Sequence, residues 1–290
     1  MSEIERPIFV IGAARSGTSM LGEILSHHPD LGYWLEPKYI WRYRNPRSPT
    51  DARGADEVTP EVARYIRRRM RRHLTQLERP RCLEKTPSNT LRVSFMNGIF
   101  PEGLFVHIVR DGRDVAFSAA KKWSSPPDPA GLWRRLLDFQ MPLRDVPSYA
   151  AAFLRDVVGR QLRPDQAYIW GPHVPDLRTI SKRHSLIETC GIQWRECVES
   201  ARRSLAEIEH ERHHTVLYED LVREPREAIR RVLDFADLAP SAEVLDFAAD
   251  HVRPELSDKW RERSGDDLDL LLPHIRETLE RYGYPISQST

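Results

Sequence analysis

The sequence predicts an α/β fold in which helices cover both faces of a central parallel sheet. Short, continuously apolar runs such as 8–11 and 104–109 are typical of buried strands. Segments with helical spacing of apolar residues separate these runs, and strands that alternate with helices indicate a parallel sheet. The turn after the first strand is rich in glycine, as in α/β proteins whose first loop binds an anion.

The predicted elements alternate along most of the chain. Strands are predicted at 8–11, ending near 83, at 104–109 and at 215–218. Helices are predicted from Gly17 to Pro29, at 61–77 and 114–122, and at roughly 190–212, 225–236, 241–250 and 267–281. Residues 123–176 interrupt this order with many prolines and aromatic residues, either as a wall or lid over a site or as aromatic core. We expect residues 1–290 to form a single domain that contains this insertion.

Composition limits the function classes. Lysine and arginine number 44 against 43 acidic residues, so the formal charge of +1 gives no global reason to expect a nucleic-acid or membrane partner. Cys82, Cys190 and Cys197 form no metal-type cluster and indicate a reducing compartment. Neither a signal peptide nor a transmembrane span is predicted, so we expect a cytoplasmic protein. The oligomeric state is undetermined.

The first turn has an anion-binding pattern. The strand 8–11 runs into Gly12, and Arg15-Ser16-Gly17-Thr18-Ser19 opens the first helix. Backbone N–H groups and the helix dipole attract anions there. Thr18 replaces the lysine of nucleotide triphosphatases, and Arg15 is the cation of the loop. We therefore expect a ligand that carries less charge than a triphosphate and needs no metal ion, although a simple strand-to-helix turn has the same outline.

A second anion site is predicted where the strand 104–109 ends. Arg110 follows it directly, at the edge where ligands of open α/β sheets bind. Ser118 lies eight residues later on the following helix and can turn back toward Arg110. A guanidinium beside a hydroxyl suits a phosphate monoester, whereas an ion pair between Arg110 and Asp111 is the alternative. Together the two sites describe one ligand with two separated anionic groups.

These motifs resemble those of the sulfotransferase superfamily. Arg15-Ser16-Gly17-Thr18-Ser19 is similar to its 5′-phosphosulfate loop, and Val109 through Ser118 is similar to its 3′-phosphate motif. The resemblance implies a P-loop-like three-layer fold with 3′-phosphoadenosine 5′-phosphosulfate (PAPS) as co-substrate, its desulfated form (PAP) as product, and no metal. A phosphosulfate also explains the missing lysine. Further segments that resemble bacterial sulfotransferases are 83–87, 218–221 and 256–260.

The catalytic base is expected at Glu36. Protein-tyrosine sulfotransferases resemble this sequence from Arg15 through Arg42, and their catalytic glutamate falls at Glu36. The resemblance thus implies that Glu36 accepts the proton of the acceptor hydroxyl. A salt bridge from Glu36 to Lys38 or Arg42 is the alternative role.

Two other residues compete for the role of base. Glu84 lies beside Lys85 at the end of a predicted strand, and we expect it to hold that lysine in place instead. His107 lies in the middle of a strand, where a histidine more often packs in a core. Other branches of the family use histidine, so both alternatives stay open.

The resemblance also implies the remaining roles. Arg15 is expected to bind the phosphosulfate and offset charge on the leaving oxygen. Lys85 is expected near the sulfuryl group, with a surface lysine as the alternative. Tyr218 and Lys259 are expected to contact the nucleotide, with core packing as the alternative for Tyr218.

A run of basic residues, Arg67-Arg68-Arg69-Met70-Arg71-Arg72-His73, lies in the predicted helix 61–77. Ile66, Met70 and Leu74 recur every fourth residue and predict the buried face of this helix. A solvated basic face is therefore favoured over a patch for acidic substrates.

Three functions compete on these observations. A PAPS-dependent sulfotransferase acting on a hydroxyl of a carbohydrate, lipid or small molecule explains both anion sites. A small-molecule kinase or NTPase on the same fold requires the missing lysine, and a non-catalytic anion-binding module leaves Glu36 and Lys85 without a role.

Overall fold

Five parallel strands form the centre of the structure, a computed structural model that describes residues 4–124, 170–252, 257–263 and 265–286. The strands are β1 (Ile8–Ile11), β2 (Leu31–Leu35), β3 (Arg81–Lys85), β4 (Leu104–Val109) and β5 (His213–Leu217). They are ordered β2-β3-β1-β4-β5, and each neighbouring pair is parallel. The predicted α/β fold with a central parallel sheet is confirmed.

Helices connect and cover these strands. Before the fifth strand they are α1 (Thr18–Ser26), α2 (Lys38–Trp41), α3 (Pro60–Leu77), α4 (Val93–Ile99), α5 (Gly112–Trp123), α6 (Leu177–Arg183) and α7 (Leu186–Leu205). After it come α8 (Tyr218–Arg223), α9 (Pro225–Phe235), α10 (Ala242–His251) and α11 (Gly265–Arg281).

The central strand β1 is buried on both faces. Ile8 and Val10 belong to a core cluster with α1 and α9, whereas Phe9 and Ile11 belong to a second cluster with α3 and α4. Successive side chains of a strand point to opposite faces, so four apolar residues in a row fill two cores at once. The result is a three-layer arrangement of helices, sheet and helices.

Several elements differ from the sequence prediction: α2, α4 and α6 were not predicted, and β5 spans His213–Leu217 instead of 215–218. Residues 31–35 form β2, an edge strand, although the sequence analysis placed no strand there. Gly32 weakens the strand pattern, and pairing with β3 supplies the order instead. The helix expected at 190–212 spans Leu186–Leu205, since Ser185 and Glu188 form a capping box at its start.

The basic run on α3 is arranged as predicted. Ile66, Met70 and Leu74 are buried, so the arginines occupy the other sides of the helix. Arg67 binds the carboxylate of Glu102 at 2.5 Å and covers the ring of Phe100.

The predicted insertion 123–176 lies largely outside the described residues. Near the end of this range, the backbone N–H of His173 donates a hydrogen bond to the Asp51 carboxylate at 2.9 Å. The backbone N–H of Asp51 donates in return to the carbonyl of His173. Across the described residues, no helix has both the length and the apolar character needed to cross a membrane.

Candidate active site

Each of the five strands delivers a predicted site residue to the same edge of the sheet. In parallel strands the carboxyl ends lie together, and this is where ligands of open α/β sheets bind. The residues at these ends, or in the loop that follows, are Arg15 after β1, Glu36 after β2, Lys85 in β3, Arg110 after β4 and Tyr218 after β5.

The loop between β1 and α1 has an unusual backbone. Arg15 and Gly17 both have positive φ, at 75° and 90°. Among the described residues, no side chain caps the first turn of α1, so its N–H groups stay available to an anion. The hydroxyl of Ser16 is buried and has no hydrogen-bond partner among the described residues. Such a buried hydroxyl next to free backbone donors fits a bound phosphate.

The two predicted anion sites come together in space. Nε of Arg15 donates to Oγ of Ser118 at 2.9 Å, and Nη1 of Arg110 donates to the backbone carbonyl of Arg15 at 3.3 Å. Desolvation and the neighbouring positive charge of Arg110 lower the pKa of Arg15. Two like charges held this close favour the binding of an anion between or beside them.

Tyr218 packs under this cluster. The guanidinium carbon of Arg110 lies 4.3 Å from the centre of the Tyr218 ring. A Cβ atom on Gly17 would lie only 2.6 Å from a ring carbon of Tyr218, so the ring and the loop are in close contact. Tyr218 is buried, and its ring contacts both the anion loop at Gly17 and the side chain of Arg110.

Asp114 connects Arg110 to the segment that contains Lys259. Its Oδ2 pairs with Nη2 of Arg110 at 3.0 Å, and its Oδ1 accepts from the backbone N–H of Trp260 at 2.9 Å. Trp260 in turn packs under the guanidinium of Arg113, at 3.6 Å. Lys259 is exposed, and within the described residues it makes no hydrogen bond or ion pair. The structure thus places Lys259 next in sequence to Trp260, the residue that contacts Asp114.

Lys85 joins the anion loop to Glu36. Its Nζ donates to Oγ of Ser19 at 3.0 Å and to Oε1 of Glu36 at 2.8 Å. The Lys85 side chain is almost fully buried. A surface location, the alternative considered for Lys85, is wrong.

Glu36 is held in one position by its backbone and its side chain. Its φ is 50°, and its backbone N–H donates to Lys85 O at 2.9 Å. Its second carboxylate oxygen pairs with Nζ of Lys38 at 3.0 Å. Arg42, the other suggested partner, pairs with Asp51 at 2.8 Å.

The two lysines keep Glu36 ionised. Desolvation acts to raise its pKa, but the charges of Lys38 and Lys85 and their hydrogen bonds outweigh this effect and lower the pKa of Glu36 to about 2. A quarter of the side chain remains exposed to solvent.

Glu84 does not hold Lys85, and that prediction is wrong. Neighbouring residues of a strand point to opposite faces, so Glu84 turns away from Lys85. Its carboxylate is fully buried and accepts hydrogen bonds from Trp41, Thr86 and Asn89, at 3.1, 2.6 and 2.7 Å. Burial raises the pKa of Glu84 to about 7.

His107 lies inside β4, two residues before its end. It is buried, and its Nε2 has no hydrogen-bond partner among the described residues. Burial, with a smaller effect of the neighbouring His213, lowers the pKa of His107 to about 4. The expectation that His107 packs in a core is confirmed.

The sequence analysis missed Asp114 as a site residue. Its spacing from Arg110 could have predicted the contact: Asp114 lies four residues after Arg110, and side chains at this spacing are neighbours on a helix.

The fold is that of a P-loop-like protein, and two adjoining candidate anion sites lie at the carboxyl edge of its sheet. The model of the sulfotransferase family matches residues 7–141 and 153–242. The chain belongs to the sulfotransferase family. A relative of Caenorhabditis briggsae that carries the name of a protein-tyrosine sulfotransferase is 22% identical over 324 aligned positions, covering 100% of this chain and 92% of that protein.

Solved sulfotransferase domains share the fold. The domain from the curacin biosynthetic pathway superposes with a TM-score of 0.57 at 14% identity, covering 99% of this chain and 100% of that one. The domain of the Synechococcus PCC 7002 olefin synthase gives 0.56 at 18% identity, covering 98% of this chain and 97% of that one. At these identities the likeness concerns the fold alone.

Proposed function

We propose that this protein transfers the sulfuryl group of PAPS to a hydroxyl of an acceptor, with Glu36 as the base. One observation carries the proposal. Lys85 contacts both Ser19 of the anion loop and the carboxylate of Glu36, which supports a base next to the loop that would hold the phosphosulfate.

The anion sites fit the two ends of such a co-substrate. A phosphosulfate suits the first site, which offers the free N–H groups at the start of α1, the buried hydroxyl of Ser16 and the guanidinium of Arg15. Thr18 and Ser19 begin the helix next to these groups. Arg110 and Ser118 suit the 3′-phosphate, because a guanidinium and a hydroxyl can supply charge-assisted hydrogen bonds to a phosphate monoester. Both adjoin the anion loop at Arg15. Tyr218 supports Arg110, and Lys259 is one residue from the Asp114 contact.

The chemistry follows from the charges at this edge of the sheet. PAPS supplies a sulfuryl group on a good leaving group. Glu36 accepts the proton of the acceptor hydroxyl while the acceptor oxygen bonds to sulfur. The bond from sulfur to the 5′-phosphate oxygen breaks, and its electron pair leaves with PAP. Arg15 and Lys85 offset the negative charge that develops on the leaving oxygen and the sulfuryl group.

Lys85 has a second effect on the base. While it donates to Glu36, it holds the pKa of that carboxylate low. When Lys85 turns toward the sulfuryl group, Glu36 loses this partner and becomes a stronger base. The same lysine thus links donor binding to proton transfer.

The decisive experiment uses radiolabelled PAPS with acceptors from several classes, including carbohydrates, lipids and small-molecule alcohols or phenols. We expect label transfer to a hydroxyl in at least one class, together with PAP binding by calorimetry in the presence of a chelator. Absence of PAP binding contradicts the proposal, and binding that depends on Mg²⁺ indicates a kinase or NTPase instead. PAP binding with no transfer to any class indicates an anion-binding module.

A further inference from the structure

Three side chains of metal-ligating type meet outside the candidate active site. His184 follows α6, Glu188 lies in the first turn of α7, and His274 lies on α11. Nδ1 of His184 and Nε2 of His274 lie 3.2 and 3.0 Å from the same oxygen, Oε1 of Glu188. All three ligand atoms are within 4.8 Å of one another.

The carboxylate is held in position by its second oxygen. Oε2 of Glu188 accepts hydrogen bonds from the backbone N–H and the hydroxyl of Ser185, at 2.9 and 2.6 Å. This is the capping box of α7, so the geometry of the helix start directs Oε1 toward the two histidines.

The histidines are also oriented. Their rings lie edge to face, with centroids 4.9 Å apart and an interplanar angle of 81°. Nη1 of Arg195 donates to the backbone carbonyl of His274 at 3.0 Å, which fixes this turn of α11 against α7. The charge of Arg195 is compensated by Glu196, at 2.7 Å.

We propose that His184, Glu188 and His274 bind one divalent transition-metal ion of the zinc class. Ligands of a tetrahedral zinc ion with bonds of about 2.0–2.2 Å lie about 3.3 Å apart. The two distances from a ring nitrogen to Oε1 of Glu188, 3.2 and 3.0 Å, are close to this value, and the two ring nitrogens lie within 4.8 Å of each other. Two imidazoles favour zinc, cobalt, nickel or copper, whereas Mg²⁺ and Ca²⁺ prefer oxygen ligands. The three side chains are 16–31% exposed, which leaves a fourth position for water.

Binding requires a change of protonation that the site permits. Each ring nitrogen that now faces Glu188 donates to its carboxylate, and a metal needs the lone pair of that nitrogen. The proton of a neutral ring moves to its other nitrogen, and an imidazolium releases one proton to solvent. The ion then ties α11 to the start of α7, because the ligands come from both, and so it stabilises the fold without a part in sulfuryl transfer.

Metal titration of the full chain, without a histidine tag and stripped with a chelator, tests the proposal. We expect one equivalent of Co²⁺ to give visible d–d absorption, Zn²⁺ to displace it, and the thermal midpoint to rise with Zn²⁺. His274→Ala should weaken Zn²⁺ binding by more than about 100-fold, since even changes around a metal site cost ~10–100-fold.

Two further variants keep the test independent of folding. Glu188→Gln retains a capping side chain, so it should remain folded and yet lose the same affinity. His213→Asn is the matched control, because the His210 and His213 rings also lie edge to face, at 5.5 Å, but form no metal-type group within the described residues. The proposal is overturned if no equivalent of metal binds. It is equally overturned if His274→Ala and Glu188→Gln lose less than tenfold, or if His213→Asn loses as much.

Discussion

Nζ of Lys85 donates a hydrogen bond to the carboxylate of Glu36 at 2.8 Å, across two neighbouring strand ends. The pair is reinforced by the backbone, where the N–H of Glu36 donates to the carbonyl of Lys85 at 2.9 Å. Lys85 also reaches Ser19 of the anion loop. We propose Glu36 for proton transfer and the anion loop for PAP binding, so a change at each should affect a different step of the reaction.

Glu36→Gln separates these steps. The amide cannot accept the acceptor proton, so we expect kcat to fall by about 10²–10⁴-fold, the usual contribution of a positioned base. The Kd of PAP should change little, because Arg15, Ser16 and Arg110 are untouched. Turnover assays and calorimetry on the same preparation measure both quantities.

Glu61→Gln serves as the control for this substitution. Glu61 is a comparable carboxylate that pairs with Arg44 on the surface, at 2.6 Å. The variant should keep full turnover. If Glu36→Gln turns over as fast as this control, another residue is the base.

Lys38→Met should change the pH dependence of turnover. Lys38 and Lys85 hold the pKa of Glu36 at about 2, so the ionised base persists at all pH values at which the protein is ordinarily assayed. Without the Lys38 charge the pKa of Glu36 rises toward its usual 4.5, so kcat/KM should begin to fall at a higher pH than in the wild type. Since the base works ionised, activity is lost as pH falls through the new pKa.

The comparison is the wild type assayed over the same pH range. Its kcat/KM should stay level well below pH 5, because its base has a pKa of about 2, while the variant loses activity as the pH approaches its raised pKa, so the two profiles separate between about pH 3 and pH 5. Identical profiles for the two proteins would mean that proton transfer to Glu36 does not limit the reaction.

Glu84 should make the folded state less stable as pH rises. Its pKa is about 7 in the folded protein and 4.5 as the usual value, so between these pH values the folded state binds more protons than the unfolded state. The free energy of unfolding therefore falls through this window, by at most about 1.4 kcal/mol per pH unit from this group. Urea unfolding at pH 5 and pH 7.5 measures the change.

Glu84→Gln removes the titrating group and should flatten this dependence. The amide of Asn89 can turn over to suit the new side chain, since its Oδ1 has no hydrogen-bond partner among the described residues. An equally steep fall in the variant would assign the pH dependence to other groups.

Much of this site could be predicted from the sequence because its residues follow strand ends. Arg110 comes directly after an apolar run, Arg15 follows another by way of a glycine turn, and parallel strands bring such positions to one edge. Tyr218 was predicted as the last residue of a strand and its role came from the resemblance, whereas the structure ends β5 at Leu217. Lys85 and Glu36 depend on the pairing of β2 with β3. The edge strand β2 has a weak sequence pattern and was not predicted, so the roles of Glu36 and Lys85 were inferred from the family resemblance and not from periodicity.

The remaining differences have physical causes. Glu84 was assigned to hold Lys85 because the two are adjacent in sequence, but the alternation of a strand separates them. The link between Asp114 and Trp260 joins residues 146 positions apart. No local pattern predicts such a contact.

Gly17→Ala should weaken PAP binding for two reasons. The φ of 90° costs a non-glycine residue roughly 1–2 kcal/mol, and the new Cβ would lie 2.6 Å from the Tyr218 ring. The loop must shift to relieve the backbone strain and the clash with Tyr218. We therefore expect the Kd of PAP, measured by calorimetry, to rise at least about tenfold.

Gly283→Ala is a matched control for the backbone effect. Gly283 also has a positive φ, 77°, but a Cβ there meets no atom within 4 Å. It should lower the thermal midpoint slightly and leave PAP binding unchanged. Equal PAP affinity in both variants and the wild type would show that the loop does not bind the nucleotide.

Asp114→Asn tests whether the contact between the helix α5 and Trp260 positions Arg110. The amide oxygen can still accept from the backbone N–H of Trp260, but the amide nitrogen then opposes the guanidinium of Arg110. Arg110 loses this ion pair but keeps its contacts with the Arg15 carbonyl and the Tyr218 ring, so its orientation is weakened and we expect the Kd of PAP to rise about tenfold, at ~1.4 kcal/mol. Because Glu36 and Lys85 are unaffected, kcat at saturating PAPS should stay close to that of the wild type. Asp220→Asn, at an exposed pair with Arg223, is the control and should alter neither quantity. A fall in kcat without a change in Kd would place Asp114 in the chemical step and contradict a purely positioning role.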